Sequence, residues 1–325
     1  MGQNRSHGDL NMKKEHFYYD DTKKPEQDHL NIRLLGAWDL DLDHLEESMT
    51  LKLLGVAQHN QLDWLQNGLK ANMPLDLIHP DGHTVLTVAT QFGARDVAQY
   101  LLDLGLNPAF FAEKGMQYNA FFTACAGGQY EMALMLLNHP SKTVTIDMVE
   151  PRHLQSGLQI AAHNLQFEFA QKFIQDHPES LLHLDRLGRT VFGTVLSIFV
   201  TTTFAYIEQQ DRQKDLEDFC LYLLTKENPF QKVSEAAIPS MQVVLQSRFA
   251  SFHPSDKAEQ MSPLNGVKTI MLACPKFGAA LLELAEKNPK GSLEHHYITH
   301  AKKYLEEVDQ LNANLEKIAQ IEKEK

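Results

Sequence analysis

The feature that most constrains this chain is a phrase that returns at a nearly constant interval. Its clearest copy is Asp81-Gly82-His83-Thr84-Val85-Leu86-Thr87-Val88-Ala89-Thr90-Gln91-Phe92-Gly93, running on to Val97, Leu101-Leu102 and Gly105. The opening returns as Asp185-Arg186-Leu187-Gly188-Arg189-Thr190-Val191-Phe192. Weaker copies run from Asn119-Ala120-Phe121 to Gly128 and from Ser156-Gly157-Leu158 to Leu165. The aligned positions Thr84, Asn119, Ser156 and Thr190 lie 35, 37 and 34 residues apart. A period of this size predicts a stacked-repeat architecture, and the helical spacing within each copy predicts an all-α one.

Each position has a physical reason. Asp81-Gly82 reads as a turn, because glycine accepts positive φ without penalty. Thr84 can cap the helix that follows with its hydroxyl. Leu86, Ala89 and Thr90 share a helical face, and the small residues admit a neighbouring helix. Gly93 breaks that helix. Val97, Tyr100, Leu101 and Leu102 form the apolar face of a second helix, which Gly105 closes. A single pair cannot bury its own apolar side, so stacking must supply the partner.

These residues resemble the ankyrin repeat family, whose phrase is roughly D-x-x-G-x-T-P-L-H-x-A-A-x-x-G followed by V-x-x-L-L and a closing glycine. Residues 81–105 match it well and residues 185–192 match its opening. Phe121, Ala124, Gly128, Met132, Leu136 and Leu137 hold the frame in one weaker copy. Leu158, Ala161, Ala162, Phe169, Phe173 and Ile174 hold it in the other. An earlier copy falls at 51–72, with Leu53, Val56, Ala57, Leu62, Asp63 and Leu65, and with Asn60 and Asn72 where the family uses glycine. Asparagine tolerates the left-handed conformation best after glycine. Val85, Ala120, Gly157 and Val191 stand where the family has proline. The resemblance covers residues 48–200 and implies a helical solenoid that binds proteins through its concave face.

The chain is organised as a polar, disordered segment over 1–29 and an N-terminal cap over 30–47, followed by ankyrin-like repeats over 48–228. Divergent helical repeats over 229–292 and an amphipathic C-terminal capping helix over 293–325 complete it. The apolar row of that helix is Ala301, Leu305, Val308, Leu311, Leu315 and Ile318. A helix from Thr190 to about Ile207 is expected, then a charged connection over 211–218 and a delayed second helix over 219–224. Two helices are expected at about 234–250 and 267–287. Seven Gly, Ser or Thr residues within 190–207 argue for a buried repeat helix there and against a membrane span.

A formal net charge of −12 disfavours nucleic acid, whose phosphates need a basic face. Three distant cysteines, Cys125, Cys220 and Cys274, fit reduced thiols and a cytoplasmic setting. Cys125 aligns with Thr90 and reads as core. Asp39, Asp41 and Asp43 alternate as in a calcium loop, but His44 replaces its glycine and Thr50 its glutamate. His296 and His300 stand four apart with no third ligand tied to them, so surface histidines and no metal are expected. No phosphate loop, nucleophile elbow or C-x-x-C pair occurs, and no cofactor is expected. Gly2 opens a myristoylation pattern, a weak signal without a basic patch beside it. The C-terminal Ile321-Glu322-Lys323-Glu324-Lys325 reads most simply as a frayed helix end; its acidic tail also resembles the secretion signals of some bacterial type IV effectors, which would place the chain in a host cytosol.

Transferring the ankyrin groove onto this chain puts His83, Tyr118, Gln155 and Arg189 at turn tips. It puts Val88, Gln91, Phe92, Thr123, Ala126, Ile160, His163 and Asn164 on exposed helix faces. The expected function is therefore a protein-binding module with no catalysis of its own. The alternative is a modifying enzyme whose repeats recruit substrate and whose residues 201–325 carry the activity.

Overall fold

The computed structural model describes residues 42–70, 73–112, 115, 118–200, 212–245, 263–287 and 291–323. They divide into two compact units, Met1–Ser180 and Leu181–Lys325. The segment 1–29 with Gly2, residues 30–41 of the expected cap with Asp39 and Asp41, and Asn72 lie outside the described residues, and 42–47 of the expected cap are the start of the first helix.

In the first unit four helix pairs follow one another: α1 (Leu42–Gln58) and α2 (Leu62–Lys70), α3 (Val85–Gln91) and α4 (Arg95–Asp103), α5 (Ala120–Ala126) and α6 (Tyr130–Leu137), and α7 (Gly157–His163) and α8 (Phe167–Asp176). The first helices stack in order, α1 on α3, α3 on α5 and α5 on α7, and each packs on its own partner. Their starts follow from the polar residues of the repeated phrase. Thr84 Oγ1 accepts the Thr87 amide at 3.1 Å, Asn119 Oδ1 that of Phe122 at 2.9 Å, and Ser156 Oγ that of Gln159 at 3.3 Å. In the second unit Thr190 repeats the cap, accepting from the Gly193 amide at 3.4 Å. Each cap satisfies an amide that the helix start leaves unpaired.

The turn between the helices of each pair carries one left-handed residue: Asn60 at φ 53°, Gly93 at 71°, Gly128 at 70° and Leu165 at 61°. Asn60 thus stands where glycine would, as its residue type predicts. Leu165 carries the strain because its side chain is buried. The missing proline at Gly157 also has a cause. A Cβ there would lie 2.7 Å from Phe121 and 2.9 Å from the Cys125 sulfur, so a side chain would collide with α5.

Between the stacked helices lies a continuous apolar core. Leu86, Leu101, Phe121, Phe122, Leu158 and Phe173 are buried, and Phe121 meets Phe122 and Phe173 at ring distances of 5.5 and 6.5 Å. Each such side chain contributes about 1.5–3 kcal/mol by leaving water. Within it Thr90 and Thr123 share a hydroxyl hydrogen bond at 2.8 Å between α3 and α5. Cys125 is buried as expected, and burial pushes its thiol up.

The second unit departs from several expectations. α9 (Val191–Leu196) passes into a 3-10 turn, Ser197–Val200, instead of running on as one helix, and 201–211 lie outside the described residues. α10 (Gln213–Leu224) begins within the expected charged connection, because Leu216 and Glu217 are buried with Phe219 and Cys220. Only the short α11 (Gln242–Leu245) forms within the described part of 234–250. The single helix expected over 267–287 is two, α12 (Pro263–Ala273) and α13 (Pro275–Lys287). Pro275 has no amide to continue the first and is well placed to open the second. Glu217 completes that start, accepting the Lys276 amide at 2.7 Å and the Phe277 amide at 3.3 Å.

α14 (Ser292–Lys323) packs on α12 and α13. Its anchor is Tyr297, fully buried, whose hydroxyl donates to the Gly278 carbonyl at 3.2 Å, together with Ala301. Beyond Ala301 the apolar row leaves the core, and Leu305, Leu311 and Leu315 are exposed. The fully buried part of the helix lies in its first turns, and further along Glu307 pairs with Lys268 of α12 at 2.7 Å. No helix among the described residues is long and apolar enough to cross a membrane.

Candidate protein-binding surface

Hairpin tips precede the first helix of a pair and are built from local hydrogen bonds. In the first unit isolated bridges pair Ile78 with Thr84 and Val149 with Ser156. At the first tip the His79 amide donates to the His83 carbonyl at 2.9 Å, and Gly82 turns at φ 86°. At the second, Glu150, 1% exposed, directs its carboxylate inward. It accepts the Arg152 amide at 2.7 Å and the Gln155 amide at 3.3 Å, with a short bond from the His153 amide. In the second unit Asp185 does the same work, accepting the Leu187 and Arg189 amides at 2.9 Å each. Buried carboxylates that accept several amides hold a tip in one shape.

The expected binding residues separate into three groups. Phe92 is 50% exposed at the end of α3. His163 and Asn164 are exposed at the corresponding end of α7, and Gln91 and Ala126 are half-buried. These define an open face. His83 and Tyr118 are half-buried. Burial lowers the His83 imidazole, with His79 adding to the effect and Asp81 opposing it. The Tyr118 ring leans on Phe122 at 6.3 Å, and its phenol is raised by burial first and then by Glu150. The third group is turned inward. Gln155 is only 6% exposed and forms the base of its tip. Arg189 is bound through its guanidinium to Asp185, with Nε and Nη2 both at 2.7 Å. Val88, Thr123 and Ile160, expected on the open face, are buried; α5 packs over α3 and α7 over α5, which takes Val88 and Thr123 inside.

Residues that the transferred groove omitted stand out instead. Arg152, His153 and Leu154 are exposed at the second tip, and Leu187 is exposed at the tip in the second unit. His296 and His300 bring their Nε2 atoms within 2.8 Å on α14. Among the described residues no group of three metal-ligating side chains forms.

With this geometry in view, residues 53–148 match the family model described as ankyrin repeats (3 copies). That segment is an ankyrin-repeat array, the class of helical, stacked, protein-binding repeats. No curated protein matches the chain. Among solved structures, it is similar to a chain in the complex of the Bd0816 predatory endopeptidase from Bdellovibrio bacteriovorus with immunity protein Bd3460. The identity is 16%, over 59% of this chain and 89% of that one, with a TM-score of 0.39.

Proposed function

We propose that the protein is an interaction module whose repeat array binds a protein partner through its hairpin tips and the adjoining ends of the first helices. The observation that carries this reading is Phe92. It occupies the same place after its cap, Thr84, as Asn164 does after Ser156, outside the apolar core, and it is half-exposed to water. Large aromatic side chains at such positions are characteristic interface anchors. Exposed His163 and Asn164 and half-buried His83, Gln91 and Tyr118 supply polar contacts around it. Gln155 and Arg189 support the tips from below.

The three cysteines are buried and unpaired, in keeping with a reducing, cytosolic setting. The effector reading rests on the C-terminal sequence alone. The test pairs Phe92→Ala with His163→Ala and measures partner affinity alongside a thermal melt. Lost affinity with an unchanged melt supports the reading. Unchanged affinity places the partner elsewhere on the chain. Tyr118 is unsuited to this test, because its contact with Phe122 ties it to the core.

A further inference from the structure

We propose that the tip formed by residues 151–154 selects the partner, and that it receives a protein segment in which a carboxylate stands beside an apolar side chain. The inference rests on the interaction-module reading and sharpens it. Its starting point is Leu154. Two residues before the capping Thr84 and Thr190 the chain has Gly82 and Gly188, both left-handed, at φ 86° and 74°. Two residues before the capping Ser156 it has Leu154, equally left-handed at φ 56°. A leucine pays a steric penalty in that conformation that glycine avoids. Leu165 shows how burial can offset such a penalty, being 4% exposed. Leu154 is 38% exposed, so burial offsets less of its penalty. A strained backbone that presents an apolar side chain to water is the arrangement found where a surface is kept for contact.

The charge of the tip gives the partner its chemistry. Arg152 and His153 immediately precede Leu154 and are exposed on a chain of net charge −12. Neither side chain meets a carboxylate among the described residues. The only acid of the tip, Glu150, is buried and occupied by the amides of Arg152, His153 and Gln155. The outer surface is therefore cationic with an apolar centre, and its shape is set before binding. A guanidinium so placed pairs with a carboxylate, in two parallel hydrogen bonds where the geometry allows. Preorganisation reduces the ordering that association must impose.

The experiment selects a randomised peptide library displayed on phage against the full chain. Enriched peptides are then titrated by fluorescence anisotropy against the wild type, Arg152→Glu, Leu154→Gly and Phe92→Ala. The expected consensus holds Asp or Glu next to an apolar residue. Affinity should fall about tenfold or more in both tip variants. Leu154→Gly should leave the thermal melt unchanged or raise it, since glycine relaxes the turn, so its lost affinity cannot be misfolding. A consensus without acidic residues, or affinities that neither tip variant alters, overturns the proposal. If Phe92→Ala alone weakens binding, the tip is refuted while the interaction module stands. If no peptide is enriched, or none of the three variants matters, both readings fall.

Discussion

Replacing Glu150 tests whether a single buried carboxylate holds the tip. In Glu150→Ala the amides of Arg152, His153 and Gln155 lose their acceptor. The first two belong to exposed residues, where water replaces the carboxylate at a loss of about 0.5–1 kcal/mol each. Gln155 is buried, and an unsatisfied amide there costs about 1–3 kcal/mol. The sum is about 2–5 kcal/mol, reduced somewhat because the variant no longer desolvates a charge. Glu150→Gln separates charge from geometry. One oxygen remains for two amides, while the new amide group meets the Arg152 amide donor to donor. The intermediate loss expected is about 1–2 kcal/mol. Urea titration reads the global change, and hydrogen exchange at 152, 153 and 155 reads the local one. An alanine variant within about 0.5 kcal/mol of wild type, with unaltered exchange at Gln155, would refute the reasoning.

Three further outcomes are expected. Leu86→Ala or Leu101→Ala should cost about 2–5 kcal/mol in a denaturant titration, since both side chains are buried between repeats. Tyr297→Ala should cost about 3–5 kcal/mol, whereas a stop after residue 303 should change the unfolding midpoint little, because Leu305, Leu311 and Leu315 are already exposed. Glu227 accepts hydrogen bonds from Ser240 and, at 3.2 Å, from Thr190, yet burial raises its carboxyl above the ordinary 4.5, the hydrogen bonds opposing the shift. A raised folded value means that this group's contribution to stability is fully present below pH 4.5 and is lost as pH rises through the folded value. Glu227→Gln should therefore melt higher than wild type at neutral pH and lose that advantage in acid, read by melts across pH.

The repeats were legible because their signals are local. Thr84, Asn119, Ser156 and Thr190 announce helix starts, and Asn60, Gly93 and Gly128 announce turns, all by residue type. The break at Cys274 was equally local, since Pro275 forbids a continuous helix, but an unbroken apolar pattern masks it. Exposure was not legible in the same way. Val88 and Phe92 lie four apart on one turn of helix, yet one is covered by its neighbour and the other is not. Gln155 and Glu150 illustrate the same limit: polar residue type suggests water, while tertiary hydrogen bonding takes both inside. The exposed Leu154 had a sequence signal, a leucine where the aligned copies have Gly82 and Gly188, and it becomes meaningful only with its left-handed φ.

The claim that matters most is that the tips and first-helix ends, not the second helices, meet the partner. A photo-crosslinking amino acid placed singly at 92, 154 and 172 tests it directly. Lys172 is exposed on α8, a second helix, where its amine pairs with Glu131 at 3.1 Å. The same protein should crosslink at 92 and 154 and be absent at 172. Crosslinking at 172 equal to that at 92 and 154, or at 172 alone, would contradict the account.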